Sequence, residues 1–281
     1  MSDQRILVIG QGDIGVPVTN TLAKDGFLVT GLARRTREHY DLHEEARFIK
    51  ADALTLTASQ LQGFTHIAII VTPDEYSSSG YQDSYLAINQ HIAQLAGQLT
   101  TLKRIVFISS TGVYGQDAGE WIDVHTMPVK PKREASQVIW QAEQVLQQGF
   151  GDQATVIRPS GIYGRERLMR LRQARESQKQ PLPMAHWSNR IMDSDLVNII
   201  VQVLKSDAPK PLYIATDYAP VTSFELMTWL SAQMGSTAPT TDDKQLSVTG
   251  KRLHSNIPLA WLSYPDWQVG YHDILQHHQY V

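Results

Sequence analysis

A glycine-rich turn near the start of the chain constrains the fold more than any other feature of the sequence. An apolar run, 6–9, leads directly into three glycines with the spacing G-x-G-x-x-G, namely Gly10, Gly12 and Gly15. Apolar residues then recur at helical spacing. This order of strand, glycine turn and helix is the context in which the motif predicts a dinucleotide-binding site.

Each glycine of the motif has a separate physical task. Gly10 permits the tight turn, Gly12 lets the backbone approach a pyrophosphate, and Gly15 lets the helix pack closely on the strand. The start of the helix, with Asp13 and Ile14, offers free N–H groups and the positive end of the helix dipole to phosphates. We therefore predict that these five residues bind the cofactor. The alternative is that the glycines only end a strand.

Two arginines stand where the dinucleotide motif usually has an acid. A second strand, 27–33, leads into Arg34 and Arg35. In NAD-binding proteins an acidic residue about 20 positions past the glycines holds the ribose 2′-hydroxyl. Guanidinium groups instead suit a 2′-phosphate, so the sequence predicts NADP(H) as the cofactor, with NAD(H) as the alternative. The two arginines can also be ordinary solvated loop residues.

Strands and helices alternate through the first half of the chain. Further strands are predicted at 46–50, 66–71 and 104–109. A long helix is predicted from Tyr81, and its apolar stripe is assigned to the core: Tyr81, Tyr85, Ile88, Ile92, Leu95 and Leu99. The alternation predicts an α/β fold, a Rossmann-type doubly wound parallel sheet with right-handed crossovers.

The carboxyl ends of the strands define the rest of the predicted cofactor site. Ligands bind beyond these ends in an open α/β sheet. Asp52, Val71 and Pro159 lie at such ends, and we predict that they line the site. Residues 1–160 are assigned to the dinucleotide-binding domain. Residues 161–281 are assigned to a smaller C-terminal substrate lobe, which is expected to interleave with the first domain.

The composition excludes several classes of function. The chain has no cysteine, which excludes disulfides and thiolate chemistry and favours a reducing compartment. Its net charge of −3 gives no field that would recruit nucleic acid or an anionic membrane. No apolar run approaches the ~18 residues that span a bilayer, and the first strand begins too early for a signal peptide. We expect a cytoplasmic protein with a small-molecule substrate, of undetermined oligomeric state.

Four further stretches, taken in order with the glycine turn, resemble the extended branch of the short-chain dehydrogenase/reductase superfamily. They are SSTGVYG at 109–115, RPSGIYG at 158–164, NRIMDSDL at 189–196, and GKRL at 250–253 followed by WLSYP at 261–265. The resemblance runs through nearly the whole chain, and the branch includes nucleotide-sugar epimerases and dehydratases. It implies an NAD(P)-binding oxidoreductase or epimerase for a sugar nucleotide or a similar hydroxyl or carbonyl compound.

The resemblance also implies a catalytic group that this chain has only in part. The family has a Ser or Thr after the fifth strand, and a Tyr and a Lys four residues apart on the next helix, where the Tyr exchanges a proton with the substrate. Ser110 matches the first position. With Glu143 aligned to the glutamate common on that helix, the other two positions hold Ala135 and Ile139. Neither side chain can move a proton.

Two tyrosines are candidates for the missing acid–base group. Tyr114 and Tyr163 each precede a glycine beyond a strand end, and with Ser110 they form the predicted catalytic set. The alternative is that both are structural loop aromatics. Two functions therefore stay open: an active NADP(H)-dependent oxidoreductase or epimerase, and a catalytically silent redox sensor or scaffold that keeps the cofactor site.

An arginine-rich stretch, a histidine pair and a polar stretch complete the candidate sites. The arginines form either a solvated helix face or, in part, a site for substrate phosphates: Arg165, Arg167, Arg170, Arg172 and Arg175. His39 and His43 have the spacing of a helical metal pair, but no third ligand is near them in the sequence, so no metal site is predicted. The polar stretch 236–247 is predicted to be an exposed loop.

Overall fold

The apolar runs of the sequence form strands whose bounds lie close to the predicted ones. The computed structural model describes residues 4–176, 181–241 and 247–279, so residues 242–246 of the predicted polar loop lie outside the described part. The strands are β1 (Arg5–Ile9), β2 (Leu28–Ala33), β3 (Arg47–Lys50), β4 (His66–Ile69), β5 (Arg104–Ile108), β6 (Glu120–Ile122), β7 (Ala154–Pro159), β8 (Gly161–Tyr163), β9 (His186–Ser188), β10 (Arg190–Met192), β11 (Leu212–Ala215), β12 (Val221–Thr222) and β13 (Thr249–Leu253).

Seven of these strands form the central sheet in the order β11-β7-β5-β4-β1-β2-β3. The neighbouring pairs from β7 to β3 are parallel, and Ile6 of β1 pairs with Val29 on one side and His66 on the other. This is the doubly wound order, with β1 between β2 and β4. Every residue of β4 is buried, because both faces of this central strand are covered. Its sequence therefore does not alternate between apolar and polar residues.

The helices connect these strands and cover the sheet. They are α1 (Gly15–Lys24), α2 (Ala58–Leu61), α3 (Ser78–Tyr81), α4 (Ala87–Gln94), α5 (Glu134–Phe150), α6 (Met169–Glu176), α7 (Asp193–Lys205), α8 (Ser223–Gln233) and α9 (Trp267–His277). α5 carries an acidic residue, Glu134, in its first turn, where it complements the positive end of the helix dipole.

The long helix predicted from Tyr81 is interrupted. The chain forms α3, then a π-helical turn at Gln82–Leu86, then α4. A π turn contains an extra residue, so the stripe predicted at a constant helical period changes direction there. The buried members of the stripe are Ile88, Ile92 and Leu99, and the half-buried members are Tyr81, Tyr85 and Leu95. The stripe therefore lies at least partly in the core, as predicted, but the helix that carries it is not regular throughout.

The chain divides into two compact units, each assembled from three segments. Unit 1 comprises Met1–Val113, Lys130–Arg158 and Val197–Tyr213. Unit 2 comprises Tyr114–Val129, Pro159–Leu196 and Ile214–Val281. The segments of the two units alternate along the chain. Unit 1 holds the glycine turn, and unit 2 holds the arginine-rich stretch.

Unit 2 has a hydrophobic core of its own. Its strands form one sheet in the order β12-β9-β13-β6, and β8 pairs with β10. The buried side chains of its core come from α6, α8, α9 and the adjoining strands: Tyr163, Leu171, Ala174, Met192, Val221, Leu226, Met227, Leu230, Trp267, Tyr271, Ile274 and Leu275. Aromatic stacking contributes, since the rings of Tyr163 and Tyr271 lie with centroids 4.6 Å apart.

A buried ion pair connects β5, α5 and β7 within unit 1. Arg158 donates from Nε to Glu143 Oε1 at 2.9 Å and from Nη2 to Glu143 Oε2 at 2.6 Å. The hydroxyl of Ser109 donates to the same carboxylate. Arg158 and Glu143 are 7% and 5% exposed. The attraction between their opposite charges offsets the free-energy cost of removing both groups from water. The pair holds α5 at a fixed position on the sheet.

Replacing Glu143 with Gln should lower the free energy of unfolding by about 3–5 kcal/mol, because the guanidinium of Arg158 would stay buried without its counter-ion. Glu134→Gln, on the exposed first turn of the same helix, is the matched control and should cost less than about 1 kcal/mol. Urea denaturation followed by circular dichroism measures both. Equal losses for the two variants would contradict the role given to the buried pair.

Candidate functional site

Two glycines in the turn between β1 and α1 make room for close contacts with backbone atoms. Gly10 has a φ of +95°, and a Cβ atom built on it would lie 2.0 Å from the carbonyl oxygen of Ile70, just after β4. A Cβ atom on Gly15 would lie 1.9 Å from the carbonyl oxygen of Gly10. A side chain at either position would displace backbone atoms, so the protein itself requires both glycines.

Gly12 has no such internal reason to be glycine. A Cβ atom built on it would meet no atom of the described residues within 4 Å, and the residue is exposed. Ile14, the N-cap residue of α1, makes no side-chain hydrogen bond to the first turn, and Asp13 lies exposed between the two. Packing among the described residues therefore does not account for this glycine. The turn fits a pyrophosphate held at the start of α1.

Arg34 is joined to an acid that the sequence motif did not indicate. Arg34 directly follows β2, and its Nη2 lies 2.5 Å from Oδ1 of Asp74, five residues beyond β4. The hydrogen bond from Arg34 lowers the pKa of Asp74, and Asp74 raises the pKa of Arg34, so both side chains are charged at neutral pH. Arg35 is exposed beside them. No motif spacing relates residues so far apart in the chain.

Of the other predicted cofactor residues, Asp52 and Val71 lie beyond the strands they follow, whereas Pro159 ends its strand. Asp52 caps a short turn after β3, with Oδ1 accepting the N–H of Leu54 at 3.0 Å. Val71 is half-buried, and its Cγ1 would lie 3.5 Å from a Cβ atom on Gly10, so it lies beside the glycine turn. Pro159 is the last residue of β7 and belongs to unit 2, whereas the other residues of the predicted cofactor set belong to unit 1.

The loop after β5 meets the first turn of α5 around Gly112. A Cβ atom on Gly112 would lie 3.0 Å from Ser136 Oγ and 3.2 Å from Ser110 Oγ. Ser110 Oγ also accepts the N–H of Gly112 at 3.0 Å. The structure therefore brings Ser110 close to the helix turn that the family alignment assigns to catalysis. Ser136 is a second hydroxyl at this place, which the sequence analysis did not identify.

The face of α5 that is aligned with the family's Tyr and Lys is apolar. Ala135 is half-buried, and Ile139, one turn later, is 5% exposed. Val138, Ala142 and Leu146 are buried on the same helix. These side chains pack, and none of them can exchange a proton.

Tyr114 and Tyr163 belong to unit 2 and are buried, at 1% and 3% exposure. The backbone carbonyl of Tyr114 accepts a hydrogen bond from Lys251 Nζ. The ring of Tyr163 stacks on Tyr271, and a Cβ atom on Gly270 would lie 1.9 Å from its hydroxyl. Burial raises the pKa of Tyr163. These contacts favour the alternative interpretation, in which both tyrosines are structural.

An arginine-lined cavity of about 370 Å³ lies within unit 2. Arg167, Arg170, Arg172 and Arg190 line it, with Glu166 as the acidic side chain among its lining residues. Several guanidinium groups around one cavity favour a ligand that carries more than one negative charge.

The five arginines of the predicted basic run separate into two groups. Arg165 makes a two-pronged ion pair with Asp273, at 2.9 and 2.7 Å, and so has a structural role at α9. Arg175 lies on α6 and does not line the cavity. The remaining three do line it, which keeps the phosphate-binding interpretation for them.

Arg190 is the buried basic residue of the cavity. It is 3% exposed, and its Nη2 donates to Ser188 Oγ at 2.8 Å. Its Nη1 is buried and has no hydrogen-bond partner among the described residues. Nearby Asp217 is fully buried, and burial raises its pKa to about 7 against the opposing effect of Arg190. One sequence signal could have indicated Arg190: a charged residue directly before the apolar residues of the buried strand β10.

Metal binding and membrane insertion have no support in the described residues. No group of three or more His, Asp or Glu side chains there could hold a metal ion. His39 instead shares a hydrogen bond with Thr36, and His43 accepts the N–H of Glu45. No helix in this part of the chain has both the length and the apolar character needed to cross a membrane.

Comparison with known proteins gives a curated relative that matches part of the chain. Protein YeeZ of Escherichia coli strain K12 is 25% identical over 170 residues, which cover 57% of this chain and 60% of YeeZ. The chain therefore spans about three fifths of the length of this relative.

Solved structures match the chain over nearly its whole length. A candidate NAD-dependent epimerase/dehydratase from Methylobacillus flagellatus has a TM-score of 0.79 and 29% identity, covering 99% of this chain and 100% of that one. The UDP-glucuronic acid 4-epimerase of Bacillus cereus, in complex with NAD, shares the fold with a TM-score of 0.72 at 17% identity, covering 97% and 99%. The model of the NAD dependent epimerase/dehydratase family matches residues 6–212, well over half of the chain. The doubly wound sheet and its glycine turn are thus those of a known family, and this chain belongs to the NAD dependent epimerase/dehydratase family.

Proposed function

We propose that unit 1 binds a nicotinamide dinucleotide at the turn between β1 and α1. The observation that carries the proposal is the open space around Gly12. A Cβ atom built on Gly12 would meet no atom of the described residues within 4 Å, so packing does not explain why this residue is glycine. The bound cofactor would supply hydride transfer. The first turn of α1 would hold its pyrophosphate, and the residues beyond β2, β3 and β4 would surround its adenosine half.

Arg34 and Arg35 favour NADP(H) at this site, with NAD(H) as the alternative. Both arginines follow β2, where the adenosine ribose is read in this fold, and their guanidinium groups suit a 2′-phosphate. The Bacillus cereus epimerase was solved with NAD. The acid that joins Arg34 in this chain, Asp74, weakens the preference for a phosphate without removing it.

The substrate that unit 2 fits is a sugar nucleotide, bound through its diphosphate. The cavity of about 370 Å³ has room for a small ligand, and four arginines line it. Arg190, a buried guanidinium that also lines the cavity, adds a fourth positive charge to those of Arg167, Arg170 and Arg172. The structural neighbour from Bacillus cereus is a UDP-glucuronic acid 4-epimerase.

The reaction we assign is oxidoreduction or epimerisation at a sugar hydroxyl, in an atypical form. Ser110, which meets the first turn of α5, would polarise the reacting oxygen, and nearby Ser136 is a second hydroxyl for the same task. Tyr114 and Tyr163 are too deeply buried to be favoured as proton donors. The rival function is a cofactor-binding sensor or scaffold without turnover, which the apolar Ala135 and Ile139 favour.

Gly12→Val should abolish dinucleotide binding and leave the protein folded, because the new side chain would occupy only the space of the pyrophosphate. Gly10→Ala is the matched contrast: its Cβ atom would clash with Ile70, so this variant should lose stability. Calorimetric titration with NADPH and NADH, together with thermal unfolding, measures both effects. If Gly12→Val is folded and binds the cofactor with wild-type affinity, the proposed site is wrong.

Arg170→Ala should weaken the binding of UDP to the protein by roughly tenfold or more, because one charged hydrogen bond to phosphate would be lost. Arg175→Ala removes the same charge from the same helix without touching the cavity and should leave UDP affinity unchanged. Titration calorimetry at one salt concentration compares the two. Equal losses would show only a general electrostatic effect, and the cavity would not be the nucleotide site.

The wild-type protein should turn over ordinary alcohol, ketone and nucleotide-sugar substrates slowly. The loss of a positioned acid–base group typically costs about 10²- to 10⁴-fold in rate. A spectrophotometric assay of NADPH or NADH over a substrate panel tests this. Rapid turnover with a bell-shaped pH profile would mean that another acid–base group acts, and Tyr114→Phe and Tyr163→Phe would then identify it. Complete silence with cofactor binding intact would favour the sensor.

A further inference from the structure

An ion pair spans the carboxyl end of β1, the strand that leads into the glycine turn. Arg34 directly follows β2, and Asp74 lies beyond β4, and these two strands flank β1 in the sheet. Because the three strands are parallel, their carboxyl ends lie along one edge of the sheet. The contact of 2.5 Å between Arg34 Nη2 and Asp74 Oδ1 therefore joins the two loops on either side of the carboxyl end of β1, which Gly10 follows.

The pair is too exposed to serve mainly as a structural tie. The side chains of Arg34 and Asp74 are 61% and 70% exposed, and ion pairs in such surroundings contribute little to folding stability. A carboxylate in this position instead determines the charge that a bound ligand meets. Arg34 alone would present one positive charge to the adenosine ribose, whereas the pair presents a positive and a negative charge side by side.

We propose that Asp74 limits the preference of the site for NADP(H) over NAD(H), an inference that rests on the proposed cofactor site. The usual acid at the end of β2 is missing, and Asp74 supplies a carboxylate to the same region from the β4 side. A ribose 2′-hydroxyl can donate a hydrogen bond to this carboxylate. A 2′-phosphate is attracted by Arg34 and repelled by Asp74. The preference for NADP(H) is therefore smaller than the two arginines alone would give.

The sequence of the same loop offers a matched control. Glu75 is the residue next to Asp74 and is also exposed, but the ion pair with Arg34 is made by Asp74. Asp74→Asn and Glu75→Gln each remove one negative charge from this loop. Both keep a side chain of nearly unchanged size. A general electrostatic effect would appear equally in both variants, whereas the proposed role is specific to Asp74.

The decisive experiment is calorimetric titration of NADPH and NADH into the full-length wild-type protein and the two variants. Asp74→Asn should shift the ratio of the two dissociation constants toward NADPH by about fivefold or more, since one unit charge about 4 Å from another changes a binding constant by this factor even in water. NADPH should bind more tightly and NADH no more tightly than before. Glu75→Gln should leave the ratio within about twofold of wild type.

A double variant tests whether the effect passes through Arg34. In Arg34→Gln with Asp74→Asn, the tighter binding of NADPH gained by Asp74→Asn should be lost. A ratio that does not move in Asp74→Asn, or moves equally in Glu75→Gln, overturns the inference while the cofactor site stands. If wild-type protein binds neither dinucleotide, the proposed cofactor site fails and this inference fails with it.

Discussion

The close contact between Gly10 and the end of β4 is the constraint on which the rest of unit 1 depends. The carbonyl oxygen of Ile70 occupies the place where any other residue at position 10 would carry its Cβ atom. The chain can turn there, and α1 can start against the carbonyl of Gly10, only because neither Gly10 nor Gly15 has a side chain. This packing sets the start of α1, and with it the position of Gly12 beside open space.

Short-range patterns in the sequence predicted the sheet. They could not predict contacts between residues that are far apart in the chain. The apolar runs and the glycine spacing are local signals, so the parallel sheet and the turn at Gly12 could be predicted. The partner of Arg34 could not, because Asp74 lies 40 residues away on another strand's loop. The π-helical turn at Gln82–Leu86 was missed for a related reason: a constant helical period cannot indicate where one extra residue enters a turn.

The arginines of unit 2 show why residue type alone did not separate binding from structure. Arg165 and Arg170 belong to the same arginine-rich stretch of the sequence. In the structure Arg165 forms an ion pair with Asp273 on α9, whereas Arg170 lines the cavity. Arg190 is the more informative of the basic residues, because a buried guanidinium with an unpartnered N–H is costly unless something satisfies it. The negative charge of the fully buried Asp217 nearby offsets part of that cost.

The cofactor turn and the position assigned to acid–base chemistry depend on different elements of unit 1. Gly12 is positioned by β1, α1 and the end of β4, whereas Ala135 and Ile139 lie on α5. α5 is held by Glu143, whose carboxylate binds Arg158 and Ser109 two turns beyond Ala135. The buried ion pair fixes α5 two turns beyond its first turn, which lies close to the loop of Ser110. Side chains at positions 135 and 139 can therefore differ between proteins with this fold while the glycines of the turn between β1 and α1 stay the same, and one fold can host either an enzyme or a binding protein.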